Sequence, residues 1–341
     1  MYILGIDTSC DDTSVAVVKE GKKVLSSIVS SQINLHTKYG GVVPEIASRS
    51  HVKMINLCLE ESFKKAEIRL EEIGAVAVTY GPGLIGSLLI GLQTAKAISF
   101  AYQVPLIGLN HLESHLYSPF LEFEEIKYPI LSLIASGGHT ELVYIKKPEE
   151  YKLICRTDDD AAGEAYDKVA KLLNLGYPGG PVIERLAKIG DKNKIKFPKV
   201  KWKTKKIGFS FSGLKTAVKY FLMKNKLSTL KVEDIAASFQ EALINILFQP
   251  LKKILGNMEI KSAFLVGGVA ANSTLRERFV NIFKDYNIKT YCPSKEYCTD
   301  NAAMVAGLGY LKYKSKRFSH LKLDAVSRIC INTVGNKLAA K

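Results

Sequence analysis

No two of the six cysteines (Cys10, Cys58, Cys155, Cys292, Cys298, Cys330) form a C-x-x-C pair, so the sequence holds no disulfide framework and points to free thiols in a reducing cytoplasm. Long hydrophobic runs are missing as well. The most apolar stretch, LIGSLLIGLQTAKAISFAY over residues 84–102, carries Gln93 and Lys96 and reads as a buried helix rather than a membrane span. The opening run MYILGI reaches Asp7 at once with no basic segment ahead of it, so no signal peptide is expected. A Walker G-x-x-x-x-G-K-[ST] is absent, and the GPGLIG turn lacks the lysine which that motif requires. Acidic residues are scarce in one place: from Lys188 to Lys231 there are fourteen lysines and a single acid, Asp191. That segment holds nearly all of the chain's net charge of +15.

What is present suits a soluble protein of two ordinary domains. The chain has 341 residues, of which 47% are hydrophobic and 24% charged. Its opening reads as strand, turn, strand (YILGID, TSCDD, TSVAVVKE), with a third strand near KVLSSIVSS. A helix is expected from Pro44 to Ala66, with Ile46, Val52, Ile55, Leu59 and Phe63 at helical spacing. A buried strand AVAVTY, an apolar helix, a short strand PLIGL and a histidine-bearing helix follow. The opening then returns. Setting Ile3 against Ile130 aligns ILGIDTSCDDTSVAVVK with ILSLIASGGHTELVYIK, with identities that include Ser9/Ser136 and Thr13/Thr140. Such a match implies two similar α/β lobes, each opening with a hairpin. The second half adds helices at AAGEAYDKVAKLLNL and VIERLAKI, helices near Ser212–Met223 and Val232–Leu255, a strand AFLVGG, a helix at AANSTLRERF, a short strand IKTYC and a helix after CTDN. The expected division is residues 1–118 with 302–330 in one lobe and 119–301 in the other, the latter containing the lysine-rich insertion 188–231.

Three groups of residues could carry chemistry. In NHLESHLY, His111 and His115 lie four apart, one helical turn, so they can grip one ion. The protease motif H-E-x-x-H places its glutamate directly after the first histidine. Glu113 is two residues on, about 200° round the helix, and points away from any ion both histidines hold. Two unrelated, partly buried histidines would fit the spacing equally well. DTSCDDT, SGGHT and GGVAAN are turns of small residues that could cradle a phosphate, though Gly-Gly also simply makes turns. Asp300, in TDNAAM, could cap the helix that follows or complete a His–His–Asp metal site.

Taken together, ILGIDTSCDDTSVAVV, YGGVVPEIASRSH, TYGPGLIGSLLIG, NHLESHLYS, SGGHTEL, GEAYDKVAKLLNLGYPGGP, FSFSGLKTAV, GGVAANSTLR and TDNAAM resemble the TsaD family of tRNA threonylcarbamoyladenosine transferases, in its bacterial branch. These proteins were formerly described as sialoglycoprotein endopeptidases. The resemblance runs from about Tyr2 to Tyr310 in unbroken order. It implies an α/β fold of the actin/Hsp70/sugar-kinase-like (ASKH) class, two ribonuclease-H-like lobes around a nucleotide cleft. It also implies one divalent metal ion per subunit, iron or zinc, on His111, His115 and Asp300. Ile134, Ala135, Ser136, Gly137 and Gly138 would embrace the phosphate and threonylcarbamoyl end of the ligand. Asp167, Gly180, Glu184 and Asn272 would bind the nucleoside, and Asp11 with Asp12 would lie beside the reacting centre. Glutamate is common in the family where this chain has Asp12, and aspartate where it has Glu184.

The implied reaction moves a threonylcarbamoyl group from threonylcarbamoyl-adenylate to N6 of adenosine 37 in tRNAs reading codons that begin with adenine, releasing AMP. ATP and AMP are then expected ligands. Bacterial members work with a TsaB-type paralogue and a TsaE-type ATPase, with no membrane partner, in the cytoplasm. The alternative is a small-molecule kinase of the same fold, which phosphorylated product would favour. The His-x-x-x-His helix speaks for the transferase. A metalloprotease is disfavoured by the misplaced Glu113, and a non-enzymatic ATP-binding scaffold would bind nucleotide without turnover. For the lysine-rich segment, tRNA phosphates are the expected partner, with Lys199, Lys201, Lys203, Lys205 and Lys206 at its centre. The aromatics among them (Phe197, Trp202, Phe209, Phe211, Tyr220) read as ordinary core.

Overall fold

A computed structural model describes residues 1–198, 207–225 and 231–331. They form two compact units, one of Met1–Ile126 with the chain from Pro293 onward, the other of Lys127–Cys292. Asp300 thus belongs to the same unit as the histidine helix. No helix among the described residues is long and apolar enough to cross a membrane.

Each unit is built on a mixed five-stranded sheet. In the first, β1 (Tyr2–Asp7), β2 (Asp12–Lys19), β3 (Lys23–Ser31), β4 (Ile73–Gly81) and β5 (Leu106–Asn110) lie in the order β3-β2-β1-β4-β5. In the second, β6 (Ile130–Ala135), β7 (Thr140–Lys147), β8 (Glu150–Arg156), β9 (Ser262–Val266) and β10 (Lys289–Tyr291) lie in the order β10-β9-β6-β7-β8. Both sheets open with two antiparallel pairings and continue with two parallel ones. The Ile3/Ile130 alignment therefore pairs strands in the same place: β1 with β6, β2 with β7. Between Lys147 and the 162–172 helix the sequence reading has no strand, and β8 is the addition. EYKLICR shows only partial alternation, as suits an outer strand with one face covered.

Side-chain alternation sorts the core of the first unit onto two faces. Leu4, Ile6, Val15 and Val17 pack with Ile55, Cys58 and Ala66 of the Pro44–Ala66 helix and Leu92, Ala95 and Ile98 of the Ile85–Tyr102 helix. Ile3, Ala16, Val18, Ala75 and Ala77 pack on the other face against the Ala302–Lys314 helix. Gly5 lets that helix press on the sheet, because a Cβ there would run into the Ala302 carbonyl and the Ala306 backbone. The start of the helix is tied down by the Ala302 N–H, which donates to Ser14 Oγ at 2.8 Å. The segment ahead of it, carrying Asp300, is fixed to the centre of the sheet.

Beyond Lys314 the chain runs as a strap along β4 and β5 in the first unit. Ser319 N donates to Leu106 O at 2.8 Å, Val326 N to Tyr80 O at 2.8 Å, and Asn110 Nδ2 to Cys330 O at 3.3 Å. In the second unit, Phe209 and Phe211 are fully buried and act as core. Lys199, Lys201, Lys203, Lys205, Lys206 and Trp202 lie outside the described residues.

Candidate functional site

The histidine helix, His111–Tyr117, starts directly at the end of β5. Asn110 caps it, its Oδ1 accepting from Leu112 N at 2.8 Å and Glu113 N at 3.3 Å, while its Nδ2 is held by the strap. Buried His111 and His115 meet edge to face with ring centroids 4.6 Å apart. Their Nε2 atoms point to one carboxylate oxygen: Asp300 Oδ1 is 3.1 Å from His115 and 3.4 Å from His111. Asp300 is free for this because Asn301, not Asp300, caps the next helix, its side chain accepting from Met304 N at 3.0 Å.

His111 has a second partner that the sequence reading missed. Its Nδ1 is 3.1 Å from Asp7 Oδ2 and 3.2 Å from Ser9 Oγ, and the other Asp7 oxygen accepts from Ser9 N at 2.9 Å. A carboxylate only accepts, so both ring nitrogens present protons to Asp7 and Asp300; with a cation on Nε2 instead, the remaining proton would sit on Nδ1 toward Asp7. The signal lay in the hairpin alignment. Asp7 ends a buried strand at the position where the second lobe has apolar Ile134. Burial lowers the His111 imidazole, but Asp300 and Asp7 overcome it and raise it well above its ordinary value. Burial likewise raises Asp300, yet the two imidazoles hold it well below the usual carboxylate range. Both shifts favour positive charge beside these carboxylates.

The donor set fits a divalent cation. One ligand atom from each of His111, His115 and Asp300 lies within 4.8 Å of the others, and two imidazoles with one carboxylate suit borderline metals such as zinc or ferrous iron. Glu113 takes no part. Its carboxylate pairs instead with Lys312 Nζ at 3.2 Å, both side chains nearly buried. Glu113→Gln should therefore leave metal content close to wild type but destabilise the fold. A cost of about 1–3 kcal/mol is expected, below the ~3–5 of deleting a buried partner outright, because the amide still accepts a hydrogen bond. Loss of metal in that variant, with the fold intact, would show that Glu113 serves the ion after all.

Asp11 lies in the turn between β1 and β2, and Asp12 opens β2 opposite Ser31. Thr8 Oγ1 donates to Ser87 O at 2.7 Å and Leu84 N to Ser9 O at 2.9 Å, so the GPGLIG turn and the helix start after it brace DTSCDD. Burial pushes the Asp12 carboxyl up to about 7, with Ser31 opposing and Asp11, Asp300 and Asp7 adding to the rise. Its Oδ1 is buried with no hydrogen-bond partner among the described residues.

In the second unit, Ile134 and Ala135 end β6, and Ser136, Gly137 and Gly138 form the turn into β7. Ser136 N donates to His139 O at 2.8 Å, and Ser136 O and Gly137 O accept from Gly163 N and Glu164 N, each at 3.1 Å. The first amides of the Ala162–Leu172 helix are thereby engaged by the turn. Gly267 joins β9 to the next turn at φ +93°, where a side chain would also strike Ala135 O. Among the described residues, and apart from each glycine's own chain neighbours, no atom stands within 4 Å of where a Cβ would be at Gly137, Gly138, Gly180 or Gly268, so space adjoins all four backbones.

The other expected nucleoside contacts gather at two helix starts. Asp167 Oδ1 accepts from Gly179 N at 2.7 Å, opening the Gly179–Ala187 helix beside Gly180. Glu184 Oε1 accepts from Ser273 N and Oγ at 2.9 and 2.6 Å. Asn272 caps the Ser273–Lys284 helix through Leu275 N at 2.9 Å and donates to Gln240 Oε1 at 2.8 Å. Gln240, buried in the Val232–Ile254 helix, was not legible in the sequence, since one polar residue on an apolar helix carries no pattern.

Glu141, on β7, is 7% exposed and its Oε2 has no partner among the described residues. Burial pushes its carboxyl from 4.5 up to about 7, with Arg156 opposing. The folded chain then keeps the proton to about pH 7 while the unfolded chain releases it near 4.5, so stability is lost as pH rises through that window. Glu141→Gln should change the melting temperature little at pH 4.5 and raise it at pH 8, by the equivalent of about 1–3 kcal/mol. An equal shift at both pH values would mean the carboxyl is not held protonated.

The chain matches the family model for tRNA N6-adenosine threonylcarbamoyltransferase, TsaD, over residues 23–307. Among curated proteins of that name, it is 54% identical to one from Carboxydothermus hydrogenoformans, covering 95% of this chain and 96% of the relative. It is 51% identical to one from Thermodesulfovibrio yellowstonii (95% and 98%) and 45% to one from Clostridioides difficile (96% and 98%). Among solved structures, full-length HypF in a phosphate- and nucleotide-bound form superimposes with a TM-score of 0.61 at 14% identity, covering 93% of this chain and 56% of that one. The activator of 2-hydroxyisocaproyl-CoA dehydratase from Clostridium difficile gives 0.53 at 16% identity, covering 93% and 97%. These likenesses show the ASKH fold. With a family model across most of its length and relatives above half identity along nearly all of it, the chain belongs to the TsaD family of tRNA N6-adenosine threonylcarbamoyltransferases.

Proposed function

We propose that the chain transfers the threonylcarbamoyl group of threonylcarbamoyl-adenylate to N6 of adenosine 37 in tRNAs reading codons that begin with adenine, releasing AMP. Family membership supplies the reaction, and one observation carries the site: the His111, His115 and Asp300 donor atoms turned toward one another. In this step N6 attacks the carbamoyl carbon, a new C–N bond forms, and the C–O bond to phosphate breaks with its electron pair leaving on AMP. The proton of N6 must go to a base. The donor is already an activated mixed anhydride, so no ATP is split here.

His111, His115 and Asp300 would hold one iron or zinc ion, which supplies charge stabilisation for the phosphate of the leaving AMP. Asp7 would orient His111 for that task. Asp11 accepts the N6 proton, and Asp12, half-buried with its carboxyl pushed up to about 7, sits beside it as a group able to hold that proton. Ile134–Gly138 would take the phosphate and threonylcarbamoyl end through backbone groups of the open Gly137–Gly138 turn. Asp167, Gly180, Glu184 and Asn272 would bind the nucleoside, the last with Gln240 behind it. A TsaB-type paralogue, a TsaE-type ATPase and the cytoplasm are the expected setting, and the lysine-rich segment is the proposed contact for tRNA phosphates.

The test is direct. The protein is incubated with threonylcarbamoyl-adenylate and unmodified tRNA, with and without the two partners, and tRNA digests are analysed for the modified nucleoside. Its appearance with AMP release is expected. Its absence in every combination, with a phosphorylated small molecule formed from ATP, would install the kinase reading instead.

A further inference from the structure

His51 is fully buried on the Pro44–Ala66 helix and is not one of the metal ligands. Its ring closes the Cys10–Thr13 stretch from outside: Nε2 is 2.9 Å from Cys10 O, and Nδ1 is 2.8 Å from Thr13 Oγ1. A carbonyl oxygen only accepts, so Nε2 carries the proton. A neutral ring must then accept at Nδ1, and the Thr13 hydroxyl donates. Burial lowers the His51 imidazole, which suits this neutral form. About two turns along the same helix face, Cys58 Sγ lies 3.8 Å from Thr13 O. The two residues enclosed between the anchors are Asp11 and Asp12.

A histidine that merely filled the core could satisfy its nitrogens anywhere along the helix or sheet. This one spends both on the two ends of a four-residue stretch, from the turn into β2, that carries the proposed proton acceptor. We infer that His51 is a positioning residue for transfer: its ring staples Cys10 to Thr13 and so fixes where the Asp11 and Asp12 carboxylates stand. The inference rests on the proposed reaction and deepens it. A stretch held at both ends keeps the base within the fraction of an ångström that proton transfer needs, and a misplacement of about 1 Å can cost roughly a hundredfold in rate.

Single-turnover transfer from threonylcarbamoyl-adenylate to unmodified tRNA separates this role from a purely structural one, with metal content and melting temperature measured on each variant. His51→Ala should slow transfer by about 10- to 100-fold, with the donor concentration for half-maximal rate within about threefold and the metal retained. His51→Gln can offer one donor and one acceptor over a similar span, and should recover most of that loss. Thr13→Val should be slowed while Thr13→Ser is not. The double variant His51→Ala/Thr13→Val should be no slower than His51→Ala alone, because both remove one staple. A His51→Ala protein as fast as wild type, a loss that Gln does not restore, or additive losses in the double variant would overturn the positioning role. A wild-type protein that makes no modified nucleoside under any condition would overturn the proposed reaction first, and the positioning role with it.

Discussion

Asp300→Ala is expected to lose its bound ion and to slow threonylcarbamoyl transfer by at least about a thousandfold while remaining folded. Three protein ligands form the proposed set, and two imidazoles alone hold a divalent ion far more weakly. Charge stabilisation by a metal is worth several kcal/mol in such chemistry, and about 4 kcal/mol corresponds to three orders of magnitude in rate. The fold should survive because Asp300 does no structural duty at the helix behind it. Asn301 supplies the cap, Ser14 holds the Ala302 amide, and Gly5 seats the helix on the sheet. His111→Ala should behave alike. Metal content by plasma mass spectrometry, paired with single-turnover rates, checks both variants. Full metal occupancy and a wild-type rate in either would remove these residues from the centre.

The physical reason that so much of this chain is legible in its sequence is the repeated hairpin. Period-2 alternation in YILGID and TSVAVVKE fixes which face of each strand is buried, and recurrence of the pattern at Ile130 fixes the second sheet. Helix spacing placed His111 and His115 on one face, and the same spacing turned Glu113 away to meet Lys312. Contacts made across long sequence distances were not legible. Asp7 reaches a histidine 104 positions away, Gln240 an asparagine 32 positions away, and the strap from Ser319 to Cys330 has no periodicity to betray that it holds Asn110. Asp300 shows the difference most clearly. From spacing alone it could be a helix cap or a ligand, the family resemblance implies the ligand, and the hydrogen bond of Asn301 to Met304 shows which neighbour takes the cap.

Asp7→Asn should weaken metal binding by about 10- to 100-fold although Asp7 touches no ion, the usual scale for losing the partner that orients a ligand histidine. The carboxylate is 1% exposed and uses both oxygens, Oδ2 toward His111 Nδ1 and Oδ1 toward the Ser9 amide. An asparagine has one acceptor for these two donors. If its oxygen faces His111, the ring keeps its tautomer, but the amide NH2 is set against the Ser9 N–H. If the NH2 faces His111 instead, Nδ1 must accept, the proton moves to Nε2, and the lone pair that would bind the ion is gone. Both arrangements also remove the negative charge that favours a cation beside His111. Ser9 Oγ, 3.2 Å from the same nitrogen, can hold the ring but not restore that charge. Competition with a coloured chelator reads the affinity independently of turnover, and circular dichroism monitors the fold. A folded Asp7→Asn protein that competes for zinc or iron as well as wild type would show that the Asp7–His111 bond does not tune the centre.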